Sequence, residues 1–150
     1  YLALIAGGLH GFRLVRWKGW AVRAEPLMWA LHLGYAWLAL ALILIGLSGL
    51  SDAVPVTAAI HALTVGAFGT MILAVMTRAS LGHTGRELAA TRGTMAIFIL
   101  VTTAAIARVA APFLGNQDLT AFWISGLAWT AAYGLFTVLY YPILAISDER

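Results

Sequence analysis

Cysteine is absent from the chain. Disulfides, iron–sulfur clusters, zinc ribbons and thiol chemistry are therefore excluded. Charge is scarce too. Only 10% of residues are charged, whereas a soluble domain carries about a quarter. None of the six acidic residues lies in a long apolar segment, so a carboxylate-driven pump is unsupported. A nucleotide fingerprint, a Ser–His–Asp set and a carboxylate dyad are also missing. Apolar bulk dominates instead: 62% of the 150 residues are hydrophobic, and mean hydropathy is +0.91. A small soluble fold leaves too much surface in water to hide this, so the composition indicates an integral membrane protein. Net charge is +3 and the pI about 9.7. Basic residues spread this widely fit membrane orientation and argue against nucleic acid as a partner.

Crossing roughly 30 Å of hydrocarbon takes about 20 apolar residues in a helix. Segments 27–50, 56–79, 94–115 and 119–146 qualify. Residues 1–12 are apolar and run into Arg13, Arg16 and Lys18. A signal peptide has its positive charge before the apolar run, so this stretch reads as the tail of a truncated helix. The expectation is an all-α, polytopic transmembrane bundle of about five helices, forming one region over 1–150 that belongs to the C-terminal half of a longer protein. Polar stretches 13–25, 51–55, 80–93 and 116–118 separate the segments, and Pro26 is a start signal for the second helix. The segments are too long and unbroken for barrel strands.

Loops on the inner side of a membrane are rich in Lys and Arg. Arg13, Arg16, Lys18 and Arg23 share one loop, Arg78, Arg86 and Arg92 flank the next loop on that side, and Arg150 ends the chain. Eight of the nine basic residues thus fall on one face, and the opposite loops carry only Asp52 and Asp118. Five crossings with a cytoplasmic C-terminus follow, and the lipid bilayer is the first partner.

Four histidines are candidate sites: His10, His32, His61 and His83. An ionisable residue in a membrane helix is expensive unless it has a partner. Metal or haem ligation, proton relay and interhelical hydrogen bonding are the alternatives. His32 lies about 9 Å inside from Pro26, at 1.5 Å per residue. His10, His32 and His83 can gather toward the cytoplasmic side, leaving His61 near the outer side. If the third helix ran on to His83, it would share a face with His61 but lie roughly 33 Å away. The two cannot serve one cofactor.

Arg108 stands within an apolar run near the outer end of its helix. It either snorkels to headgroups or serves as counter-ion to an anionic group, such as a haem propionate, at the depth of His61. Ala58, Ala62, Gly66 and Thr70 form a small-residue stripe suited to close packing. Met71 and Met76 are soft copper donors or plain filler. Thr130, Tyr133, Thr137 and Tyr140 share one helical face, as a path or as interhelical bonds, with the structural reading favoured. Trp17, Trp20, Trp29, Trp37, Trp123 and Trp129 mostly suit interfacial belts. The run Ser80 to Arg86 places His83 between Gly82 and Gly85, with Arg78 and Arg86 flanking. An anion could dock on its free N–H groups, or it is an ordinary basic loop.

The run His61-Ala-Leu-Thr-Val-Gly-Ala-Phe-Gly-Thr-Met71, continuing Val75-Met-Thr-Arg-Ala-Ser-Leu-Gly-His-Thr-Gly-Arg86, resembles the signature of the NnrS family. The resemblance implies a bacterial inner-membrane protein of about a dozen helices, containing haem and copper and linked to nitric oxide metabolism, denitrification and nitrosative stress. It places His61, Arg78, His83 and Arg86 at motif positions and leaves the assignment of haem or copper between the histidines open. The cofactor and metal candidates are accordingly His10, His32, His61, His83, Arg86 and Arg108. Two rivals stand beside this reading. One is a transporter or channel, with histidines and tyrosines as a relay. The other is a non-catalytic assembly partner of a respiratory enzyme. Turnover and the redox partner are left open.

Overall fold

The computed structural model describes residues 1–19, 25–114 and 119–145. They form five helices: α1 (Leu2–Arg16), α2 (Pro26–Ser48), α3 (Val56–His83), α4 (Arg92–Ala110) and α5 (Thr120–Ala145). Among the described residues there is no strand, so the all-α expectation holds. Helices α2 to α5 are each long and apolar enough to cross a membrane, with α4 extended by a tight turn over Ala111–Phe113. The apolar segments fix these spans to within a few residues, with one exception: α3 continues past residue 79 to His83.

The termini follow local chemistry. Pro26 occupies the first turn of α2, where a missing N–H costs nothing. The Thr91 hydroxyl accepts from the Thr94 N–H at 3.2 Å and caps α4. Gly85, with φ +66°, ends α3 in a Schellman motif: the Arg86 N–H reaches Leu81 O at 2.9 Å and the Gly85 N–H reaches Gly82 O at 3.2 Å. Of the stretch expected as a basic loop, Ser80 to His83 is therefore helix. Within the helices Thr64, Thr102, Thr103 and Thr137 each bond the carbonyl four residues back, which satisfies their hydroxyls without a partner helix.

Each helix packs on its chain neighbour, and α3 also touches α5. Without a hydrophobic force between helices in lipid, close approach of small residues takes over. A methyl group on Gly46 of α2 would stand 2.4 Å from Leu4 of α1. Ala58, Ala62, Gly66 and Thr70 are all buried, as a packing stripe requires. Large apolar side chains such as Ile72, Ile99, Trp123, Leu127 and Val138 point outward, where lipid would cover them.

Midway, α3 widens into a π-helix over Ala62–Gly69. Such segments occur mostly as single turns, often at functional sites. Here the widened backbone brings Gly66 against the indole of Trp37, where an added Cβ would lie 2.6 Å from the ring. The Tyr133 hydroxyl of α5 donates to Gly69 O at 3.2 Å, so a backbone acceptor at the end of the segment gains a partner from another helix.

Candidate functional site

The helices bring seven side chains together at the end of the bundle that carries the basic residues. On α2, Met28, His32 and Tyr35 follow at spacings of four and three and share one face. The Nδ1–H of His32 donates to Met28 O at 2.9 Å. A carbonyl can only accept, so this bond fixes the tautomer and leaves the lone pair on Nε2. Tyr35 bonds His10 Nδ1 of α1 at 2.5 Å, and the two rings meet edge-on at 5.4 Å. Trp17, just past the end of α1, lies 4.7 Å from the Tyr35 ring and 6.0 Å from the His32 ring. The Arg13 guanidinium sits 4.9 Å over Trp17. From α3, Arg78 Nη1 reaches Met28 Sδ at 3.5 Å.

Trp17, Met28, His32 and Tyr35, with Leu31 and Met71, line a cavity of about 500 Å³. A second cavity of about 430 Å³ lies on the other side of the His32 ring, toward Leu14, Val15 and Gly19 of the α1 end. Gly19 packs on the ring itself: a Cβ there would stand 2.8 Å from His32 Cδ2. An imidazole with its tautomer fixed by a backbone carbonyl, its second nitrogen unbonded among the described residues, and an apolar hollow beside it has the arrangement of a ligand site.

The family model described as NnrS protein matches residues 1–147. The chain belongs to the NnrS family. No curated protein and no solved structure matches it. With four helices able to span a bilayer, this NnrS chain is a multi-pass membrane protein.

The family-like run His61 to Arg86 is one continuous helix with its cap. His61 immediately precedes the π-helix, and Gly66, within it, is the contact with Trp37. His83 ends the same helix 22 residues on, roughly 33 Å away along the axis. One cofactor cannot reach both, as the spacing requires. The expectation that the two share a face does not carry through the π-helix, because its wider turns shift the register. His61 is half-buried, and the charge of Arg108 on α4 reaches it. The Arg108 guanidinium stacks 4.7 Å over Phe122 of α5.

Of the three histidines expected to gather at the basic end, His10 and His32 join through Tyr35 and Trp17, whereas His83 is exposed at the helix end. The docking of an anion on free N–H groups around His83 is corrected. The N–H groups of Gly85 and Arg86 are spent on closing α3, and the glycine serves the left-handed turn. The Arg86 side chain is exposed beyond it. Met71 lines the cavity and Met76 faces outward. Among the described residues, no three His, Asp or Glu side chains converge as a metal cluster.

The tyrosine face of α5 is structural. Tyr140 Oη bonds Thr94 Oγ1 at 2.8 Å, Tyr133 bonds Gly69 O, and Thr130 is exposed. The belt reading fails for one tryptophan. Trp37 is buried against α3, because Gly66 makes room for it. Trp17 stays exposed at the basic end, as a belt residue would, while it bridges Tyr35 and His32. Trp20 and Arg23 lie outside the described residues. Tyr35, Trp17 and Met28 were missed as site residues. The available signal was the shared helical face of Met28, His32 and Tyr35.

Proposed function

We propose that this NnrS-family chain holds a haem in the cavity beside His32 and handles nitric oxide there, as a protein of the bacterial inner membrane with its basic end in the cytoplasm. The observation that carries the reading is the His32 ring, held by Met28 O, with no partner for Nε2 among the described residues and an apolar cavity beside the ring.

The residues fit the group. The cavity falls within the range of about 300–1,000 Å³ typical of small-molecule sites. His32 would supply the axial nitrogen. Arg78 is half-buried beside Met28, meets no carboxylate among the described residues, and would meet a propionate. Leu31, Met71 and the stem of Met28 keep the pocket poor in water. Among the described residues, three buried polar atoms without a partner, Trp37 Nε1, Thr70 Oγ1 and Thr77 Oγ1, all lie on α2 and α3, the two helices that wall this region. Bound haem would supply an iron centre able to bind nitric oxide and change redox state. Nitric oxide is small and apolar and reaches such a pocket through lipid, so no channel is required. A copper ion would find its softest donors on the same wall, in His32 with Met28 and Met71.

A relay along α5, as a transporter would use, has no support in the bonding of Tyr133 and Tyr140, which are tied to α3 and α4. The test is a visible spectrum and an iron and copper analysis of the full chain purified in detergent. A Soret band that shifts on adding nitric oxide, present in the parent and in H83A but lost in H32A, supports the reading. A colourless, metal-free protein overturns it and favours an assembly role.

A further inference from the structure

The contact between Tyr35 and His10 is not used by an axial-ligand site. A phenol and an imidazole 2.5 Å apart share one proton. The phenol is the stronger donor, and we assign the proton to it, with the lone pair on His10 Nδ1. His10 and His32 are then held in opposite tautomers, one ready to take a proton and the other to bind a metal. Tyr35 also lines the 500 Å³ cavity, so its ring faces both the base and the pocket.

We propose that Tyr35 and His10 form a redox pair that supplies one electron and one proton to an oxidised acceptor in this cavity. In the step, the Tyr35 O–H bond breaks and an N–H bond forms at His10 Nδ1. One electron leaves the phenol oxygen for the acceptor, a one-electron oxidant of the class of an oxidised metal centre. The products are a neutral phenoxyl radical and an imidazolium; the acceptor is reduced by one electron. The proton held by His10 then passes to the reduced acceptor or to water at the basic end of α1. In an apolar setting a phenol cannot be oxidised cheaply unless its proton has a placed acceptor, since the bare cation would lack solvation. His10 is that acceptor.

Trp17 lies against the Tyr35 ring at 4.7 Å and would otherwise compete as the site of oxidation. The Arg13 guanidinium over its face at 4.9 Å opposes a second positive charge on the indole, which leaves Tyr35 as the resting place of the radical. Among the described residues, the other charged or titratable side chains near the cavity are His32 on α2 and Arg78 on α3, neither of which bonds Tyr35.

The physiological acceptor rests on the haem or metal reading of the cavity. The pair itself is tested without one. The full chain in detergent is oxidised by a flash-generated ruthenium(III) polypyridyl, in a Tyr1→Phe/Tyr141→Phe background that removes two exposed tyrosines. The expected result is a neutral tyrosyl radical in the electron paramagnetic resonance spectrum. Y35F removes most of it. H10Q, whose amide oxygen can accept the phenol's hydrogen bond but cannot take its proton, keeps the helix content and lowers the radical yield about a hundredfold, the low end of what a positioned base contributes to proton transfer. An undiminished yield in Y35F, or in folded H10Q, overturns the proposal. A missing haem with an intact radical response would sink the cofactor reading alone.

Discussion

The interface of α4 with α5 and the region where α1, α2 and α3 meet are both rich in polar side chains, and they use them in opposite ways. Between α4 and α5, Ser125 donates to Ala104 O at 2.9 Å, and Thr94 and Tyr140 bond each other. Phe136 and Tyr140 stack at 4.7 Å. Each of these polar groups is paired and the wall is closed. Between α1, α2 and α3 the groups converge on a hollow. Among the described residues, His32 keeps a nitrogen unbonded, Arg78 has only a thioether, and Trp37, Thr70 and Thr77 bury atoms with no partner. Intramembrane polarity is costly. One side uses it as glue, and the other holds it in reserve for something that binds.

Variants on the two sides should therefore separate stability from binding. The largest effect is expected from Gly66→Leu. The added Cβ alone meets the Trp37 ring at 2.6 Å, and overpacking of this kind costs about 1–3 kcal/mol. Thermal unfolding in detergent should show a clear drop in Tm, with loss of bound cofactor. His32→Ala comes next. It should remove the haem while costing the apoprotein only about 1 kcal/mol, the net worth of one hydrogen bond. Equal losses of Tm and haem in this variant would mean that the ring is structural. On the other side, Tyr140→Phe should lower stability by about 0.6–1.7 kcal/mol, the range of such bonds between membrane helices. Haem content should not change. Smallest of all, His83→Ala should alter neither Tm nor spectrum, because the ring is exposed at the end of α3. A lost Soret band in that variant would put the site at the wrong end of the motif.

The helices were legible in the sequence because hydropathy alone decides what enters a bilayer. Segments 27–50 and 119–146 need nothing from tertiary structure, and the structure puts helices at 26–48 and 120–145. The end of α3 was not, because the run from Ser80 to His83 read as loop polarity. In the fold the glycine that stops the helix is Gly85, two residues past His83. The costly residues were legible as such: His10, His32, His61 and Arg108 could be named from hydropathy. Their partners could not. The contact of Trp17 with His32 depends on how the chain leaves α1. That of Trp37 with Gly66 depends on the π-helix, which no apolar periodicity announces. Tyr35 was within reach, since it repeats the face of Met28 and His32 along α2.

The most direct test is the haem-to-protein ratio of His32→Gly, purified with and without added imidazole. The vacated ring position opens onto the same cavity. Near-zero haem without imidazole and restored haem with it is the predicted result. Haem retained in full without imidazole, or lost beyond rescue while the helices remain intact, would contradict the assignment of His32 as the ligand.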